Sequence, residues 1–139
     1  TCLLNKKGTK STFLVDISQG YHGTQLSMVL FQIAPGGWQS RHRHGGEAVL
    51  YVVDGSGHTI IDGERYDWST GDATLVSNWC WHQHFNASQD KPAVIIRMHM
   101  WESQHKLMSI CLSPLPMYEG PNRLDGSDPS LWEHHKIEV

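Results

Sequence analysis

The chain has 139 residues, 39% hydrophobic and 18% charged, with a formal net charge of −3. That length supports one domain with its own core and is too short for two, and the balance is that of a soluble globular protein rather than a disordered chain. No basic surplus is present to neutralise phosphates and no apolar run approaches the roughly 20 residues that span a bilayer, so nucleic acid and membrane are excluded as expected partners.

In chain order, residues 1–7 lack the charged, apolar and small-residue zones of a secretory leader. A start without Met reads as a processed chain or a piece of something longer. From residue 12 to about 101 the sequence alternates short strand-like runs with turn signals, the pattern of an all-β sandwich or barrel. Residues 26–34 (LSMVLFQIA) form an apolar run that Pro35-Gly36-Gly37 stops, and residues 48–53 (AVLYVV) form a strand rich in β-branched and aromatic residues. After Asp54-Gly55-Ser56-Gly57 the chain returns through residues 58–62. Asp62-Gly63 then supplies a two-residue hairpin turn, because Gly tolerates the positive φ that a type I′ turn needs. Strands over 64–70, 73–77 and 92–101 complete the series. Residues 103–112 predict a short helix with Ser103 as its N-cap. The stretch from about 102 to 139 turns rich in Pro, Gly, Asp, Ser and Asn, and predicts an extension that wraps the barrel or a neighbouring subunit.

Ten histidines and six tryptophans stand well above ordinary usage. His22, His105, His134 and His135 read as surface residues, and His58, opening a strand after a turn, as peripheral. His42 and His44 lie two apart, so strand alternation points both to one side, about 7 Å apart along the chain. A third imidazole has to come from another strand, and His82, with His84 two residues on, is the candidate. Neutral imidazole is the commonest transition-metal ligand, so this pattern predicts a divalent metal held by His42, His44 and His82. The three cysteines (Cys2, Cys80, Cys111) form neither a disulfide framework nor a CxxC pair, which fits a reducing cytoplasm.

These residues resemble the two-part signature of the cupin superfamily. The first part reads Gly36, five residues, His42-x-His44, and a closing Gly55; the second reads Gly71, the Ser77-Asn78-Trp79 corner, His82 and Asn86. The resemblance covers about residues 12–101 and implies one cupin domain over 1–139, a small jelly-roll barrel with a Pro/Gly-rich tail, pairing as a homodimer. Where many cupins place a fourth, carboxylate ligand, this chain has Ala48, with Glu47 beside it. Alternation puts Glu47 outside the barrel, which favours three histidines, although a bulge at Gly45-Gly46 would turn it inward. The Trp79-x-Trp81-His82-x-His84 segment is similar to the gentisate dioxygenase group, enzymes with two cupin domains that hold iron by three histidines. The resemblance therefore implies Fe(II), with Zn, Ni, Mn or Cu as alternatives that imidazole also accepts. It implies dioxygen and a small chelating substrate, a phenolic acid or a diketone, with His84 moving protons.

Other residues are read from alternation. Arg97 and His99 share one face of the last strand; inward, Arg97 would clamp a carboxylate, and outward both would be surface residues. Trp79, Trp81 and Phe85 read as core, or as a stacking surface for an aromatic substrate, and Cys80 as a buried thiol or part of the cavity lining. The leading expectation is a mononuclear non-haem Fe(II) dioxygenase. The alternatives are a non-redox metal-dependent lyase or isomerase, and a non-enzymatic barrel that binds a small ligand.

Overall fold

A computed structural model describes residues 3–5, 9–22, 26–100 and 137–138. The strands are β1 (Leu3–Asn5), β2 (Thr9–Val15), β3 (Leu26–Ile33), β4 (Ala48–Asp54), β5 (Ser56–Ile61), β6 (Glu64–Ser69), β7 (Ala73–Val76), β8 (His82–Asn86), β9 (Ala93–Met100) and β10 (Ile137–Glu138). A 3-10 turn over Ile17–Gln19 follows β2. The expected all-β class holds among the described residues. The expected helix over 103–112 and the wrapping tail lie outside them.

Seven strands form one antiparallel sheet in the order β10-β1-β2-β3-β9-β4-β7, and three form a second, β6-β5-β8. Residues 38–42 run along the free edge of β8 without becoming a strand. Trp38 and His42 each make one antiparallel bridge there, to Phe85 and His82. The sequence predicts a strand at His42 and His44; the structure gives an irregular segment that keeps the same alternation, both histidines being buried and the arginines between and before them half-buried.

Period-two patterning builds the core. In β3 every second residue from Ser27 to Ile33 is buried, and in β4 Ala48, Leu50 and Val52 are buried while Val49, Tyr51 and Val53 are exposed. Phe31, Ile33, Leu50, Val52, Ala93 and Ile95 of the larger sheet meet Trp68 of the smaller one, with Ile61 against them. Two details hold the sheets in place. Gly57 lies opposite Trp68 and Asn86, and a Cβ there would overlap the Trp68 ring and the Phe85 carbonyl. Asn86, buried at the end of β8, donates through Nδ2 to the carbonyls of Ile33 (3.1 Å), Ala34 (3.1 Å) and Lys91 (2.7 Å) and accepts from the Ser88 N–H (2.9 Å), tying one sheet to the other.

The Asp62-Gly63 turn has φ of 47° and 91°, the two positive values a type I′ hairpin requires. β1 and β10 pair with each other through Leu4 with Glu138 and Asn5 with Ile137, adding strands that the sequence pattern does not announce. They are three and two residues long, too short for periodicity to register.

Candidate metal centre

The site forms where the irregular segment at residues 38–44 meets β8. The His42 N–H donates to the His82 carbonyl (3.0 Å) and the His82 N–H donates back to the His42 carbonyl (2.9 Å). Residues paired this way project to the same side, so both rings enter the space between the sheets. Their centroids are 4.2 Å apart, and His44 joins at 5.6 Å from His42 and 4.8 Å from His82. One nitrogen from each of His42, His44 and His82 lies within 4.8 Å of the other two, and all three residues are buried.

Backbone carbonyls fix the orientation of each ring. His42 Nδ1 faces the Ser40 carbonyl (2.7 Å), His82 Nδ1 the Cys80 carbonyl (2.9 Å) and His44 Nδ1 the Gly46 carbonyl (3.2 Å). A carbonyl can only accept, so each Nδ1 carries the proton and each Nε2 keeps its lone pair. Burial holds His42 well below the usual imidazole range, reinforced by the charge that His82 would carry and opposed by the Ser40 bond. Neutral rings with their Nδ1 protons engaged and Nε2 free are the state in which imidazole ligates, so this donor set fits a divalent transition metal.

His84 is buried beside these three and outside their cluster, its ring 5.5 Å from that of His82 and 6.2 Å from Phe31. Its Nδ1 contacts the Thr59 hydroxyl at 2.8 Å, and that hydroxyl accepts from Trp68 Nε1 at 3.0 Å. Burial, then the charges of His82 and Arg97, push His84 well below the ordinary imidazole value. Thr59, fully buried, is a site residue that sequence reasoning misses; cross-strand register places it opposite His84, and a threonine inside a strand carries no signal of its own.

The larger sheet faces this cluster with polar groups. Arg97 lies in register with Val29 and Leu50, and His99 with Ser27 and Ala48. All four partners are buried, so Arg97 and His99 occupy the inward face, the alternative left open by sequence. Nearby, the Ser27 hydroxyl donates to Asp16 Oδ2 at 2.5 Å, both residues being buried. The interior is thus polar beside the histidines and apolar around Phe31, Ile33 and Ile95.

Glu47 is exposed and Ala48 buried, so no bulge turns the carboxylate inward. Trp79 and Trp81 lie outside the buried apolar cluster. Both are half-buried under arginines, with Arg43 Cζ 4.7 Å from the Trp79 ring centroid and 4.4 Å from that of Trp81, and Arg41 Cζ 5.1 Å from Trp81. Phe85 alternates away from His82 and His84 and stacks on His58, at 4.6 Å with 9° between planes. Cys80 is half-buried, and burial together with Asp62 raises its thiol pKa; it serves the site through its carbonyl.

Residues 29–99 match the family described as Cupin domain. The chain belongs to the cupin family. Among curated relatives, this cupin is 39% identical over 93 residues to gentisate 1,2 dioxygenase 1 of Aquipseudomonas alcaligenes, covering 66% of this chain and 24% of that protein. It is 41% identical over 49 residues to 5-aminosalicylate 1,2-dioxygenase of a Comamonas species, covering 35% of this chain and 13% of that one. The cupin therefore spans about a quarter or less of the length of these relatives. Among solved structures, a cupin 2 domain-containing protein from Halorhodospira halophila superposes with a TM-score of 0.66 at 18% identity, covering 98% of this chain and 88% of that one. A salicylate 1,2-dioxygenase variant from Pseudoaminobacter salicylatoxidans, solved with gentisate, superposes with a TM-score of 0.64 at 18% identity, covering 82% of this chain and 30% of that one. At such identity these two likenesses concern the fold alone.

Proposed function

We propose that this cupin holds Fe(II) through His42, His44 and His82 and acts as a dioxygenase on a small chelating substrate, a phenolic acid or a diketone, with dioxygen as co-substrate. The observation that carries the reading is the convergence of three buried imidazoles whose Nδ1 atoms all face backbone carbonyls. The dioxygenase names of the curated relatives support the reaction class. When bound, the iron would supply Lewis acidity toward substrate oxygens and electrons for dioxygen.

The chain's own residues supply binding and proton handling. Three neutral histidines add no negative charge, so the site favours an anionic substrate. Arg97, on the inward face opposite the histidines, suits a carboxylate, which its planar guanidinium can hold through two parallel hydrogen bonds. His84 is kept neutral by burial and by Arg97, and with Nδ1 against Thr59 its Nε2 is the atom through which a substrate proton would be held or moved.

The test is elemental analysis after anaerobic Fe(II) loading of the full chain, followed by oxygen uptake with phenolic acids and diketones. The wild type is expected to retain about one metal per chain and to consume oxygen with substrate, and His82→Ala to lose both. Retention of both in His82→Ala contradicts the reading. Turnover without oxygen consumption would place the protein among the non-redox lyases or isomerases, and ligand binding without product would make it a binding module.

A further inference from the structure

We propose that Arg43 is a positioning residue, stacked against Trp79 and Trp81 so as to set how His44 stands relative to His82. The inference rests on the three-histidine reading above and concerns residues with no place in it. The two ligand-bearing segments have matching patterns, Arg41-His42-Arg43-His44 and Trp79-Cys80-Trp81-His82. In the first, alternate residues carry two buried imidazoles; in the second, His82 is the one buried imidazole and Cys80 holds the alternate position. The arginines of the first segment meet the tryptophans of the second. The Arg43 guanidinium lies 4.7 Å from the Trp79 ring centroid and 4.4 Å from that of Trp81, and Arg41 adds a contact to Trp81 at 5.1 Å. A cation over an indole face is the strongest of the aromatic cation contacts, and a flat guanidinium also stacks.

Backbone geometry says why such a clamp has work to do. The reciprocal bonds between His42 and His82 fix that pair, but His44 stands beyond them, where the chain leaves the edge of β8. Its carbonyl accepts from the Trp79 N–H at 3.0 Å. Trp79 itself has a φ of 63°, in the left-handed region that a bulky aromatic residue rarely occupies. A conformation of that kind persists when its surroundings hold it. The Trp79 ring is packed on Arg43, the residue between His42 and His44, so the same contact fixes the corner and the position of the third imidazole. Trp81 adjoins His82 and receives the same guanidinium, which links both sides of the cluster through one side chain.

The experiment titrates the metal-free full chain with Co(II), a spectroscopic probe whose visible absorption reports ligand geometry, in wild type, Arg43→Ala, Arg43→Lys and His82→Ala. Thermal unfolding of the metal-free proteins is followed in parallel. Arg43→Ala is expected to bind Co(II) about 10- to 100-fold more weakly, the range found when residues supporting metal ligands are lost, and with shifted absorption bands. Arg43→Lys, which keeps the charge and loses the flat stack, should recover part of the affinity but not the wild-type bands. Wild-type affinity and bands in Arg43→Ala overturn the proposal. So does weaker binding with unchanged bands and a matching loss of metal-free stability, which marks a merely structural role. Should Arg43→Ala not fold, Arg43→Lys decides, altered bands supporting the proposal and wild-type bands overturning it. Co(II) bound by wild type, lost in His82→Ala and unaltered in both Arg43 variants removes only the positioning role. Co(II) binding that is absent in wild type, or that survives in His82→Ala, removes the three-histidine reading and this proposal with it.

Discussion

A buried imidazole has two nitrogens to satisfy, and what it can do follows from which one is already engaged. In His42, His44 and His82 backbone carbonyls take Nδ1, which leaves Nε2 as the nitrogen with a lone pair to offer. In His84 the Thr59 hydroxyl takes Nδ1, and because that hydroxyl also accepts from Trp68 Nε1, one oxygen serves two buried rings. Thr59→Val keeps the shape and removes the oxygen, leaving two buried polar atoms without it. Each such loss costs about 1–3 kcal/mol, so the variant should be destabilised by about 2–6 kcal/mol, read as a lower urea midpoint with an unchanged m-value. A wild-type midpoint would show that water or another group replaces the hydroxyl. The three clustered histidines were legible in the sequence because spacing of two survives even where the segment is not a regular strand. Thr59 was not, because its importance comes from lying opposite His84 across a strand pair. The arginine cover of the tryptophans was not legible for a related reason: alternation gives the side on which Trp81 lies, but nothing in the sequence says that Arg43 and Arg41 cover it.

At the scale of elements, the irregular segment at residues 38–44 and β8 carry the three histidines, β5 adds Thr59, and β3, β9 and β4 close the site. The smaller sheet meets the larger one closely at Gly57, where the absent side chain admits the Trp68 ring. Gly57→Ala should therefore cost about 2–3 kcal/mol through overpacking, measured by the thermal or urea midpoint; a stability equal to wild type would mean that Trp68 can move aside freely. The same contact explains why Gly57, written in the sequence as part of a turn, lies inside β5. Most strands were legible, since β3, β4 and β9 are long and each has Gly or Pro at or near one end, and burial alternates in β3 and β4. The inward setting of Arg97 and His99 was not, because alternation yields two faces without saying which is inside. Only pairing with Val29, Leu50, Ser27 and Ala48 decides it.

For the molecule as a whole, the two sheets divide the interior into an apolar part around Phe31, Ile33, Ile95 and Trp68 and a polar part where the histidines face Arg97. The apolar part is a packed core, while the polar part concentrates buried groups, three of them placed close enough to hold one ion. Among the described residues no helix is long and apolar enough to cross a membrane. The most direct measurement is X-ray absorption at the iron edge of the full chain loaded anaerobically with Fe(II). The account predicts scattering from three imidazoles per bound iron, with the remaining positions filled by oxygen atoms. A spectrum that fits at most one imidazole per iron would contradict it.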